Sequence, residues 1–179
     1  ITFALPPTYD VSASKPLSLL SSLIGHEGTG SLLSWLKKES LATSLSARPD
    51  RRSFTTYYNI NMDLTESGQA NTERIIELVF SYLKMLKDEG LQKFYYQEEK
   101  TTSELGYYFR DRDEGASTVS YYAAQMQKRP AATILEDLWL LKVYKPELFS
   151  SFIEMMDPEK LDQHEIETFH RLFDRFHEQ

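Results

Sequence analysis

The run from Phe54 to Leu64 alternates strictly. Phe54, Thr56, Tyr58, Ile60, Met62 and Leu64 fall on one side, and Thr55, Tyr57, Asn59, Asn61 and Asp63 on the other. A two-residue period over a stretch rich in β-branched and aromatic side chains specifies a strand with one buried face. Such a strand requires partner strands along its edges and an apolar layer against its buried face. Ile1–Leu5 alternates in the same way and stops at Pro6-Pro7, while Ala42–Ala47 reads as a short strand followed by the polar turn Arg48-Pro49-Asp50.

The covering layer is helical. Pro16 stands where a first-turn proline opens a helix, with Leu17, Leu20, Leu23 and Ile24 as its stripe and Gly25 or Gly28 to close it. After Gly28-Thr29-Gly30 a second helix runs from Ser31. Leu32, Leu33, Trp35 and Leu36 form its apolar face, and Lys37-Lys38 complement the negative end of its dipole. Thr65 is placed to cap one helix carrying Ile75, Val79, Tyr82, Leu83 and Leu86 to Gly90.

Helical spacing then persists through Gln92–Arg112 (broken around Gly106), Thr118–Lys128, Thr133–Leu141, a helix opened by Pro146 and one opened by Pro158. Strands gathered in the first third with helices after them define an α+β fold, a small mainly antiparallel sheet packed against several helices with a helix-rich C-terminal half. The chain opens on Ile1 in what reads as mid-strand, so it is expected to be a piece of something longer.

Composition narrows the function. A formal net charge of −7 without a basic cluster speaks against a nucleic-acid partner. No apolar run reaches the length of a membrane span. The absence of cysteine excludes disulfides and thiolate chemistry and leaves the compartment open, leaning to cytoplasmic.

With four histidines, His26, His164, His170 and His177, neither H-E-x-x-H nor H-x-x-E-H occurs, so catalytic residues and a metal site are expected to be absent. His26 reads as a helix-end residue. His170, Asp174 and His177 share a helical face and could hold a divalent ion, but read first as solvated surface. Glu98, Glu99 and Glu104 read as a salt-bridged outer face, and Phe94, Tyr95, Tyr96, Tyr107, Tyr108 and Phe109 as core.

The segment Lys15-Pro-Leu-Ser-Leu-Leu-Ser-Ser-Leu-Ile-Gly-His-Glu-Gly-Thr-Gly-Ser-Leu-Leu-Ser-Trp-Leu-Lys-Lys38 resembles the second, non-catalytic domain of the insulysin, nardilysin and pitrilysin zinc metallopeptidases. Tyr58–Gly68, with its L-T-x-x-G end, Val79–Lys87 and Tyr144-Lys-Pro-Glu-Leu148 resemble further stretches in the family order. The likeness covers residues 1–160, leaving 161–179 as a divergent C-terminal helix.

The resemblance implies a peptide-holding wall of a hinged chamber, with zinc in the parent enzyme bound upstream of this chain and no cofactor within it. The expected partners are an extended oligopeptide and the other domains of the same peptidase. Carried over position by position, the substrate-binding elements are Gly25, Glu27 and the strand Leu45-Ser46-Ala47. Glu27 reads equally as a local cap or salt bridge.

Two departures stand out. Glu39-Ser40-Leu41 replaces the family's Gly-Trp, and Ala47-Arg48 replaces its Gly-Gly pair, which restricts close backbone approach. The altered Leu41 and Arg48 positions, with the unfamiliar C-terminal tail, support the alternative of a stand-alone interaction or scaffold protein that kept the fold and lost peptide handling.

Overall fold

The computed structural model describes residues 1–111 and 115–156. Strands β1 (Thr2–Leu5), β2 (Ala42–Arg51) and β3 (Thr56–Leu64) form an antiparallel sheet in the order β1-β3-β2. The alternating run is thus the central strand. Thr56, Tyr58 and Ile60 are fully buried, whereas Tyr57 and Asn61 are exposed, so one face meets the core and the other meets water. Phe54 does not join that face: it sits at the exposed hairpin tip, where the Arg52 N–H donates to the Thr55 carbonyl at 2.8 Å.

Helices α1 (Pro16–Ile24) and α2 (Leu32–Lys38) pack on β2, and α4 (Thr72–Glu89) and α8 (Pro146–Glu154) complete the layer by packing against them and each other. Phe80 of α4 meets Phe3 of β1 edge to face at 6.1 Å. Leu17, Leu20, Ile24, Leu33, Leu36, Ile75, Val79 and Phe149 fill the centre. Pro16 and Pro146 open their helices as the sequence indicates, and Gly90, at φ 65°, ends α4. Ser31 Oγ caps α2 by accepting the Ser34 N–H at 3.1 Å. Trp35 is corrected from the apolar face of α2: it is half exposed, donating from Nε1 to Glu39 at 2.8 Å.

The helical region departs from expectation in several places. Thr65 caps as expected, accepting the Gly68 N–H at 2.9 Å, but it opens a short α3 (Glu66–Ala70) that ends at Asn71 before α4 begins. Asn71 leaves helical geometry (φ −125°, ψ 39°), and its side-chain amide donates to the Ser67 carbonyl at 2.7 Å. Helix α5 (Lys93–Tyr108) passes through Gly106 without a break, because one glycine costs a helix only about 1 kcal/mol. Beyond it lie α6 (Gly115–Met126) and a single turn, α7 (Ile134–Asp137), shorter than the spacing suggested.

The aromatic group of α5 is not core as a whole. Tyr96 is buried, Tyr95 and Tyr107 are half-buried, and Phe94, Tyr108 and Phe109 are exposed, since few elements pack around this helix. Glu104 pairs with Lys100 at 3.7 Å and Glu99 accepts from Ser22 at 3.2 Å, in keeping with an outer polar face. The helix opened by Pro158, with His164, His170, Asp174 and His177, lies outside the described residues.

Tyr58 ties sheet to helix. Its ring is fully buried and its hydroxyl shares a hydrogen bond with Ser21 Oγ at 3.2 Å, burial pushing the phenol pKa upward. Tyr58→Phe keeps the ring and removes only this bond. Urea denaturation should register a loss of about 1 kcal/mol, and a loss above about 3 kcal/mol would assign the hydroxyl a larger part in the core.

Candidate peptide-binding edge

The hydrogen-bond parity of β3 decides which groups β2 leaves free. Ile60 N–H donates to the Ile1 carbonyl at 2.8 Å and the Ile1 ammonium donates back to the Ile60 carbonyl at 2.9 Å. Main-chain groups of successive strand residues point to alternate sides. Thr56, Tyr58 and Ile60 therefore serve β1, and Tyr57, Asn59, Asn61 and Asp63 serve β2. The Arg52–Thr55 bond in the hairpin has the same parity.

Through the register Ser44↔Asp63, Ser46↔Asn61, Arg48↔Asn59 and Asp50↔Tyr57, the ladder engages Ser44, Ser46, Arg48 and Asp50. Leu45 and Ala47 turn their N–H and C=O groups the other way, and β2 is last in the sheet order with no strand beyond it among the described residues. Two donors and two acceptors thus face outward along one strip.

This parity also explains the length of β2. The expected turn at Arg48-Pro49-Asp50 is instead strand through Arg51. Pro49 has the outward orientation, so its missing N–H costs the ladder nothing, and proline is at home on such an edge. The same proline removes a donor from the open side and bounds the strip.

Of the residues singled out from the sequence, Leu45, Ser46 and Ala47 lie together on this edge, with Ser46 giving its backbone to β3 and exposing its side chain. Leu45 buries its side chain in the core, which fixes the strand's face. Gly25 and Glu27 lie in the connection between α1 and α2, both of which pack on β2. Gly25 ends α1, donating to the Ser21 carbonyl at 2.8 Å, and a Cβ there would sit 2.9 Å from that oxygen. Glu27 is exposed beside His26, whose Nδ1 accepts the Gly28 N–H at 3.0 Å and closes the turn.

The zinc implied by the resemblance finds no fit in these residues. Among the described residues no group of three or more His, Cys, Asp or Glu side chains is placed to hold a metal. No helix among them is long and apolar enough to cross a membrane. Sequence reading also passed over a second convergence, of Lys15, Arg51, Lys128 and Arg129 around one cavity. Apart from the adjacent pair Lys128-Arg129, these residues are scattered along the chain and give no local signal.

A three-stranded antiparallel sheet under helices, with a free outer edge, places the chain among α+β domains. The family model for the peptidase M16 inactive domain matches residues 1–103. The chain belongs to the peptidase M16 family, in its inactive-domain class. It is 36% identical over 162 residues to the A-factor-processing enzyme of Saccharomyces cerevisiae, covering 89% of this chain and 16% of that protein. Human nardilysin is 33% identical over 165 residues (89% of this chain, 14% of nardilysin), and human insulin-degrading enzyme 33% over 150 residues (83% and 15%).

The chain therefore spans only a small fraction of the relatives it matches. The crystal structure of pitrilysin superposes with a TM-score of 0.83 at 25% identity, covering 88% of this chain and 17% of pitrilysin. An M16 inactive domain from Pseudomonas fluorescens shares the fold at a TM-score of 0.57 and 15% identity, covering 85% of this chain and 36% of that one.

Proposed function

We propose that this chain is a non-catalytic wall of the peptide-holding chamber of a longer, insulysin-like zinc metalloendopeptidase, and that the outer edge of β2 anchors an extended oligopeptide. The observation that carries this reading is the outward parity of Leu45 and Ala47 at the end of the sheet. An extended peptide added to that edge completes the main-chain bonds, gaining affinity with little dependence on its sequence. Glu27 supplies a carboxylate for the peptide's α-ammonium. Zinc chemistry and the other chamber domains belong to the rest of the longer protein.

The test is titration of a fluorescent extended peptide, with a free or an acetylated N-terminus, into the 179-residue chain. Ala47→Pro deletes an outward donor while sparing the ladder, and should weaken binding at least about tenfold, the value of one good hydrogen bond and its geometry. Glu27→Ala should weaken the free-amine peptide and leave the acetylated one unchanged. Absence of saturable binding by the wild type would overturn the reading in favour of a scaffold that kept the fold alone.

A further inference from the structure

Away from the β2 edge, a cavity of about 330 Å³ lies between the segment 8–18, Arg51 at the end of β2, and α6 with the residues that follow it. Lys15, Arg51, Lys128 and Arg129 line it. The carboxylate among its lining residues, Asp137, is already engaged by Lys142 at 2.9 Å and by the Thr133 hydroxyl. Among the described residues none of the four cations is ion-paired. Lys15 Nζ donates to the Leu138 carbonyl at 2.9 Å, and Arg51 donates to the Thr8 and Ser18 hydroxyls at 3.2 and 3.3 Å. Lys128 Nζ donates to the Tyr9 hydroxyl at 3.0 Å, and Arg129 Nε to Gln125 at 3.3 Å. Arg129 Nη1 is buried with no hydrogen-bond partner.

Lys15, Arg51 and Arg129 are partly buried around the cavity with the exposed Lys128 at its side, and gathering like charges away from water is costly unless a counter-charge completes the set. Lys15 bears that cost visibly: burial first, then the Arg51 and Arg129 guanidiniums, push its pKa down to about 8. Its backbone is held left-handed at φ 41°, a conformation that ordinary residues keep where the surroundings impose it. The first turn of α1 joins the wall through Leu17 and Ser18 and adds the positive end of its dipole.

A single carboxylate would answer one of these charges, whereas a phosphate dianion offers several acceptor oxygens and takes guanidinium pairs in bidentate fashion. We propose that this cavity, through Lys15, Arg51, Lys128 and Arg129, binds a phosphate group, free or carried as a monoester on a small molecule. The site is independent of peptide anchoring on β2.

Calorimetric titration of the full chain with inorganic phosphate, and separately with glycerol 2-phosphate, at fixed ionic strength tests this. Saturable one-to-one binding of either ligand is expected, the tighter one assigning the free or esterified form. Affinity should fall at least about tenfold in Arg129→Gln and in the exposed Lys128→Gln, and stay unchanged in Lys84→Gln, whose side chain pairs with Asp88 elsewhere. Phosphate should raise the thermal midpoint of the wild type and leave that of Arg129→Gln in place. Binding of neither ligand, or equal binding by Arg129→Gln and Lys84→Gln, would overturn the proposal.

Discussion

Gly68→Ala should cost the domain about 4 kcal/mol and leave little of it folded at physiological temperature. Gly68 is buried in the first turn of α3, and a Cβ there would stand 1.9 Å from the Leu41 carbonyl oxygen and 2.9 Å from its carbon. That carbonyl cannot retreat cheaply, because it accepts the Thr65 N–H at 3.1 Å while the Leu41 N–H donates to Leu36 at 2.8 Å. Ser40 before it is fixed in a left-handed conformation at φ 57°, its carbonyl accepting from the Thr65 hydroxyl at 2.6 Å.

One methyl group would therefore have to force α3 away from the junction of α2 and β2, overpacking a site bounded by backbone rather than by movable side chains. Gly106→Ala is the matched control. It lies within α5 with open space where the Cβ would go, so alanine should stabilise by about 0.5–1 kcal/mol. Urea denaturation of both variants decides the matter, and a Gly68→Ala protein within about 1 kcal/mol of wild type would refute the packing argument.

These two glycines show where local sequence is informative and where it is not. The alternation of β3, the proline starts at Pro16 and Pro146, the Thr65 cap and the stop at Gly90 are local signals, and each is realised. Gly106 looks like a breaker and Gly68 like a helix-start residue, yet the weight each carries depends on what lies across from it. Pro49 is the same case in a strand. Whether proline ends a strand or sits harmlessly in it depends on which side holds the neighbour, a fact fixed by Ile60 bonding to Ile1 on the opposite edge.

The aromatic residues of α5 look like core by type, but type does not say how many helices will surround them. For the candidate edge, Leu45 to Ala47 were legible through family likeness, while the outward parity of Leu45 and Ala47 was not. The cationic cavity had no local signature, because Lys15, Arg51 and Arg129 meet only through tertiary folding.

A proline placed at Ser46 should do what one at Ala47 does not. Ser46 faces Asn61 as a hydrogen-bonded pair, so Ser46→Pro deletes a ladder donor and sets the ring toward β3. About 3 kcal/mol of stability should be lost, measured by urea denaturation, and peptide binding should fail along with the sheet. Ala47→Pro places its Cδ on the open edge, as Pro49 does, and keeps its Cβ where Ala47 already packs against the core, so it should cost less than about 1 kcal/mol while losing the peptide.

The pair separates anchoring from folding. Loss of binding in a stable Ala47→Pro protein locates the effect on the open side of β2, not in general damage to the sheet. The opposite ranking, Ser46→Pro stable and Ala47→Pro unfolded, would mean that the free donors belong to Ser44 and Ser46. The strip of Leu45 and Ala47 would then be inward-facing, and an extended peptide would have nothing there to pair with.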